Sequence, residues 1–294
     1  MLIPLLGMVL VALIWGSVTL FSIWSGLPSP VFVFYRVAIA LPFVLAYALK
    51  KRGRKVFKFT GLSFLSGIFL SLNWVFFFEA VSRIDISTAV LLYYFGPVFA
   101  VLLSWLLLKE KMKPITWIPV LLAFTGIILI FASSSIENDL PGVIFGVLAA
   151  LSYGSLAVCG KAVGEKLKSE VLVTQQLIVS TLVLLPFAFG SYELSLNALF
   201  NVTIVGVVHT GTALVIWFTV LGKLPMRVAS VLSYLDPVFA TFLAWIVFGQ
   251  IPSISTISGG ALIIAAGILV STQYRSETRW TTANDQKNSN NVAS

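Results

Sequence analysis

Charge is what this chain has least of. Only 10% of its 294 residues are Asp, Glu, Lys or Arg, where a soluble domain carries about 25%. Cysteine occurs once, at Cys159, and histidine once, at His209. A single cysteine excludes an internal disulfide framework. With one residue of each kind there is no His/Cys cluster for a metal, and no metal or cofactor is expected. No GxxxxGKS or GxxxxGKT loop is present to cradle a phosphate. Nor do acids, histidines or a serine motif gather as in a membrane-embedded enzyme, so an enzyme is not expected. The N-terminus lacks the basic segment of a cleavable signal, and the apolar run 3–24 reads as a first membrane span.

What is present is apolar. Hydrophobic residues make up 59% of the chain, and the mean hydropathy is +1.01. One span takes about 20 residues, so the sequence predicts ten: 3–24, 30–49, 60–81, 86–108, 114–132, 142–162, 170–190, 200–222, 228–249 and 255–273. The polar tail 274–294, rich in Asn, Ser and Thr, is expected to be disordered. The net charge of +8 reads as loop charge that sets orientation rather than as a nucleic-acid surface. Six basic residues crowd the nine-residue segment 50–58. If that loop is cytoplasmic, both termini lie inside, and 17 of the 19 basic residues fall on that side or in the tail. Only Arg36 and Arg83 do not, while Asp85, Glu137, Asp139 and Glu193 fall outside.

The segment Ala89 to Leu108, AVLLYYFGPVFAVLLSWLLL, returns 140 residues later as ASVLSYLDPVFATFLAWIVF, with nine of twenty positions identical. ALIWGS (12–17) likewise matches ALSYGS (150–155), and Pro42-Phe43 matches Pro186-Phe187. Spans one to five thus repeat as six to ten. Five is odd, so the two copies insert with opposite orientation, a signature of secondary transporters. The charges agree: KEKMK follows span four, and uncharged GQIPS follows span nine.

On these motifs, with Arg36 in span two, the chain resembles the drug/metabolite transporter superfamily in its EamA-type ten-helix branch. The family's glycine-glutamate after span four stands here as Lys109-Glu110, and in the second copy as Gly249-Gln250. The resemblance covers about residues 1–273 and implies an all-α membrane protein. Its repeats would be 1–133 and 141–273, with the tail 274–294 cytoplasmic. It implies a multi-pass transporter of the cytoplasmic (inner) membrane, moving a small metabolite by alternating access; ten helices in two halves suffice for one pathway, so a monomer is the default expectation, and no nucleic-acid partner is expected. A small polar or amphipathic solute, an amino acid or amine, is the leading expectation. An uncoupled facilitator or drug exporter is the alternative, and a channel or enzyme a further one.

The residues themselves suggest a site. Proline donates no backbone hydrogen bond and displaces the carbonyl one turn back, so Pro97 and Pro237 are expected to break their helices and free carbonyls near mid-membrane. Asp236 sits beside Pro237, about 13 Å into its span at 1.5 Å per residue. At that depth a carboxylate serves a substrate amine, carries a proton, or bonds a neighbouring helix. Glu79 and His209 are further candidates for proton coupling, although Arg83 stands one turn from Glu79 as a partner. His209, Ala213 and Trp217 would share a face. Trp15, Asn73, Tyr94, Tyr153, Trp217 and Tyr234 are expected to line the substrate site with Asp236, the aromatic rings stacking on flat or cationic solutes.

Overall fold

In lipid, a backbone can satisfy its own hydrogen bonds only as a helix or a closed barrel, and long apolar runs without strand periodicity select the helix. A computed structural model describes residues 2–273 except 82, 85, 111–113, 131–138, 165, 190–191, 250 and 271. The expected tail, the acids Asp85 and Glu137, Gln250, and the basic residues Lys111, Lys113, Arg275, Arg279 and Lys287 lie outside the described residues. Those described are all-helical, with no strand among them.

The chain runs through α1 (Leu2–Ser25), α2 (Ser29–Arg52), α3 (Gly61–Val81), α4 (Ile86–Tyr93) and α5 (Gly96–Leu107). It continues through α6 (Trp117–Ile130), α7 (Leu140–Gly164), α8 (Ser169–Leu184) and α9 (Leu196–Ile204). Then come α10 (Ala213–Leu221), α11 (Met226–Ser233), α12 (Leu235–Phe248) and α13 (Ile254–Val270). Among the described residues, six continuous helical stretches could by length and composition cross a membrane, Leu196–Leu221 and Met226–Phe248 included, and four shorter apolar helices accompany them. At 24 residues α1 is about 36 Å long, enough for a hydrocarbon layer of about 30 Å.

The surface is the reverse of a soluble protein's. Leu6, Phe43, Leu106, Leu182, Phe200 and Ile268 face outward, while Ser63, Ser66, Asn73, Gln175, Gln176 and His209 are buried. An apolar exterior is stable only against lipid. The buried polar groups hold helices together where hydrophobic attraction is absent. Gln176 donates to Ser66 Oγ across the α3–α8 seam at 2.6 Å, and Gln175 donates to Val56 O at 2.8 Å.

The most extensive helix contacts pair α3 with α7, α5 with α7, α1 with α12, α2 with α8, and α3 with α8. Each joins a helix before residue 130 to one after residue 140. The two sequence halves are therefore interleaved, and the repeated WGS and YGS glycines make this possible. A Cβ on Gly16 of α1 would lie 2.8 Å from Asp236 O, and one on Gly154 of α7 would lie 2.8 Å from Ala100 N. Each glycine lets its helix touch the backbone of the broken helix of the other half. Gly154→Val should therefore lower the thermal unfolding temperature in detergent, overpacking here costing about 1–3 kcal/mol. Gly164→Ala, where a Cβ meets nothing within 4 Å, should leave it unchanged.

Candidate functional site

Both proline repeats bend the chain at a tyrosine. α4 stops at Tyr93 and α5 starts at Gly96, with Phe95 still in the helical region (φ −69°, ψ −16°). α11 stops at Ser233 and α12 starts at Leu235, with Tyr234 at φ −70°, ψ −6°. The breaks are bends, not loops. One carbonyl at the first break is not left free: Tyr94 O accepts a hydrogen bond from the Tyr234 hydroxyl at 2.9 Å. Tyr234 is fully buried and ties the two broken helices together behind the cavity wall.

Around these breaks lies a cavity of about 450 Å³. Of the residues expected from the sequence, Trp15, Asn73, Tyr94, Pro97, Tyr153, His209, Trp217 and Asp236 line it. Tyr234, Pro237 and Glu79 do not. Glu79 faces the bundle edge, 46% exposed, and forms the i, i+4 ion pair with Arg83 at 3.6 Å. The cavity extends from the breaks toward Ser22 of α1 and Val81 of α3, away from the basic segment 50–58.

Its wall is a chain of rings. Trp217 stands 5.7 Å from Trp15 and 6.1 Å from Tyr153, and Tyr93 stands 5.6 Å from Tyr153 and 5.2 Å from Phe77. Trp15 and Tyr153 occupy equivalent places in the repeated motif and meet at Trp217. Such rings take up an apolar or flat group without fixing its polar ends.

Two opposite charges interrupt the rings. The Asp236 carboxylate, on α12, accepts a hydrogen bond from the Tyr94 hydroxyl. Arg36, on α2, donates from Nε to Thr210 Oγ1 at 2.9 Å, and its guanidinium lies 4.9 Å from the centre of the Trp74 ring. No ion pair joins Arg36 to Asp236 among the described residues. Each charge is positioned by neutral neighbours and keeps its own charge for a third party.

His209 stands where the sequence reading needs correction. Residues Val205–Thr212 form a π-helix, whose i→i+5 bonding widens the turn. The lining positions are His209, Leu214 and Trp217, not His209, Ala213 and Trp217; Ala213 is buried. The wide turn shifts the face by one residue. His209 Nε2 lies 2.8 Å from Ser17 Oγ, and that hydroxyl also donates to Ile14 O. The Ser17 hydroxyl thus bridges the imidazole and the Ile14 carbonyl. The His209 carbonyl in turn accepts from Trp15 Nε1 at 2.8 Å. Histidine thus ties α1 to the π-helical stretch.

Three polar atoms of the wall have no partner among the described residues: Asn73 Oδ1, His209 Nδ1 and Trp217 Nε1. Buried polar groups are ordinarily satisfied, so hydrogen-bonding capacity, an amide acceptor and an indole donor among it, is left over beside the cavity. Arg36, Trp74 and Tyr93 complete the wall. Arg36 carried a usable signal, as one of two basic residues away from the basic side and the one placed well inside an apolar span.

Comparisons with known proteins agree with this architecture. The model of the EamA-like transporter family matches residues 2–132 and again 140–272. A Bacillus subtilis protein described as an uncharacterized transporter, YxxF, is 30% identical over 268 residues, 88% of this chain and 86% of its own. The pseudopaline exporter CntI of Pseudomonas aeruginosa is 25% identical over 255 residues, 83% of this chain and 87% of its own. The S-adenosylmethionine uptake transporter of Rickettsia bellii is 24% identical over 242 residues, 81% and 80% respectively. A crystal structure of a protein 20% identical to this one superposes with a TM-score of 0.83, covering 92% of this chain and 98% of that one. That last likeness is one of fold. This multi-pass membrane protein, matched twice along nearly its whole length, belongs to the EamA-like transporter family.

Proposed function

We propose that this protein is a secondary transporter of a small zwitterionic metabolite, of the amino-acid or amine class, and works by alternating access across the cytoplasmic membrane. The observation that carries the reading is the placement of Arg36 and Asp236 on one aromatic-walled cavity without pairing to each other. A solute carboxylate would meet the guanidinium fork, and its ammonium would meet the carboxylate. At about 450 Å³ the cavity falls in the lower part of the range for small-molecule sites. Asp236 is the leading proton-coupling candidate, because it lines the cavity while Glu79 is engaged at the bundle edge by Arg83.

The ten-span topology with both termini inside draws support from the one-sided distribution of Lys and Arg. The two family matches support repeats at 1–133 and 141–273. One relative is named for export and another for uptake, so the fold accommodates either direction.

The test is a thermal-shift screen of the purified protein in detergent against amino acids, amines, carboxylic acids, sugars and nucleosides. A ligand at 100 times its Kd stabilises the folded state by about 2.7 kcal/mol. Zwitterionic amino acids should raise the unfolding temperature, and simple carboxylates should not. Stabilisation by sugars or nucleosides alone would overturn the reading.

A further inference from the structure

The basic end of the bundle is closed by an ion pair that has no part in the cavity. Lys161 of α7 pairs with Glu110, just past the end of α5. Its ammonium also donates to Leu224 O at 2.6 Å, and the second Glu110 oxygen accepts from Met226 N at 2.9 Å. Leu224 lies in the connection between α10 and α11, and Met226 opens α11. The two side chains are only 16% and 18% exposed. Three segments are thus drawn together below the cavity. Leu156, the α7 residue lining the cavity nearest to this point, is five residues, or about 7.5 Å, from Lys161.

The backbone before Glu110 is held against its preference. Lys109 has φ 54°, the one positive value at a non-glycine among the described residues. For a residue with a Cβ that region is sterically disfavoured, the Cβ crowding the following carbonyl oxygen. The equivalent position of the second copy is Gly249, at φ 65°. The left-handed residue ends α5 and turns Glu110 back toward Lys161.

The pair has no counterpart in the other copy. Aligning ALIWGS with ALSYGS places Ile23 opposite Lys161, and aligning the proline helices places Gln250 opposite Glu110. Ile23 and Gln250 cannot form an ion pair, whatever their positions. A duplicated fold with both pairs would carry the same latch at each end, whereas this chain carries one.

We propose that Glu110 and Lys161 are the latch of a gate at the basic end, which must part for the cavity to change sides, and that the missing counterpart leaves the resting protein open toward the opposite end. The proposal rests on the alternating-access reading. Removing one partner leaves the other charge buried and uncompensated, a strongly unfavourable state, so either single substitution should favour the open gate.

The test reads access to the cavity in the absence of any solute, so a failed solute screen and a failed latch remain separate results. In a Cys159→Ser background, Ser233→Cys on the cavity wall is reacted with a membrane-impermeant methanethiosulfonate, in intact cells and in inverted vesicles. A Lys55→Cys control identifies the basic side. With the latch intact, labelling should come from the opposite side. Glu110→Gln and Lys161→Met should each raise the basic-side rate about tenfold, the double variant no further than either single, because the pair acts as a unit. Lys161→Arg should keep the protection. If the single variants do not reach the membrane, the neutral double variant, which leaves no unpaired charge, gives the same reading. Unchanged basic-side labelling in the folded variants, or additive effects of the two substitutions, would overturn the proposal.

Discussion

Asp236→Asn should abolish measurable binding of zwitterions and amines while leaving the protein folded. Asparagine keeps the shape and still accepts the Tyr94 hydroxyl hydrogen bond, so the helix contacts survive. What disappears is the charge facing the solute's ammonium. Truncating one partner of a buried, hydrogen-bonded charge pair costs about 2–5 kcal/mol, a loss of about thirtyfold to several thousandfold in affinity. Arg36→Gln separates the two ends of the solute: zwitterions should lose affinity by a similar factor, while amines lacking a carboxylate should bind as before. Arg36→Lys should not rescue, since a point charge cannot stack on Trp74 and bond Thr210 with one planar group. Calorimetric titration of both variants with one amino acid and its decarboxylated amine checks this. Equal losses for both ligands in Arg36→Gln would remove the guanidinium from the site.

The parts of this architecture written as local pattern were legible from residues alone. Runs of apolar residues gave the helices, and the repeated YxxPVFA segments gave the bends, because proline acts on its own turn. Asp236 stood out because a carboxylate in lipid has to be explained. Features that depend on which helix faces which were not legible. Nothing in Val205–Thr212 marks a π-helix, and its wide turn moved the lining position from Ala213 to Leu214. Tyr234 looks equivalent to Tyr94 in sequence, yet it is buried behind the wall and bonds the Tyr94 carbonyl. An inverted repeat makes positions equivalent without making their surroundings equal. Glu110 and Lys161 lie 51 positions apart, and each reads singly as loop charge; only the folding of α7 against α5 makes them a pair.

Trp217 combines the most central position in the wall with an unanswered hydrogen bond. It is 2% exposed, packs against Trp15, Tyr153 and Phe218, and its indole N–H has no acceptor. Two substitutions separate these roles. Trp217→Ala removes the ring that joins the two repeated motifs and should destabilise the protein by about 3–5 kcal/mol, seen as a large fall in unfolding temperature. Trp217→Phe keeps most of the packing and removes a buried donor whose desolvation nothing repays, so the empty protein should be as stable as before or more so. Solute binding should respond in the opposite direction. If the N–H is left over because a solute oxygen completes it, Trp217→Phe should weaken binding by about threefold to tenfold, the worth of one net hydrogen bond. Unchanged affinity in a fully folded Trp217→Phe protein would make the ring a packing element alone and leave recognition to Arg36, Asp236 and the remaining aromatic wall.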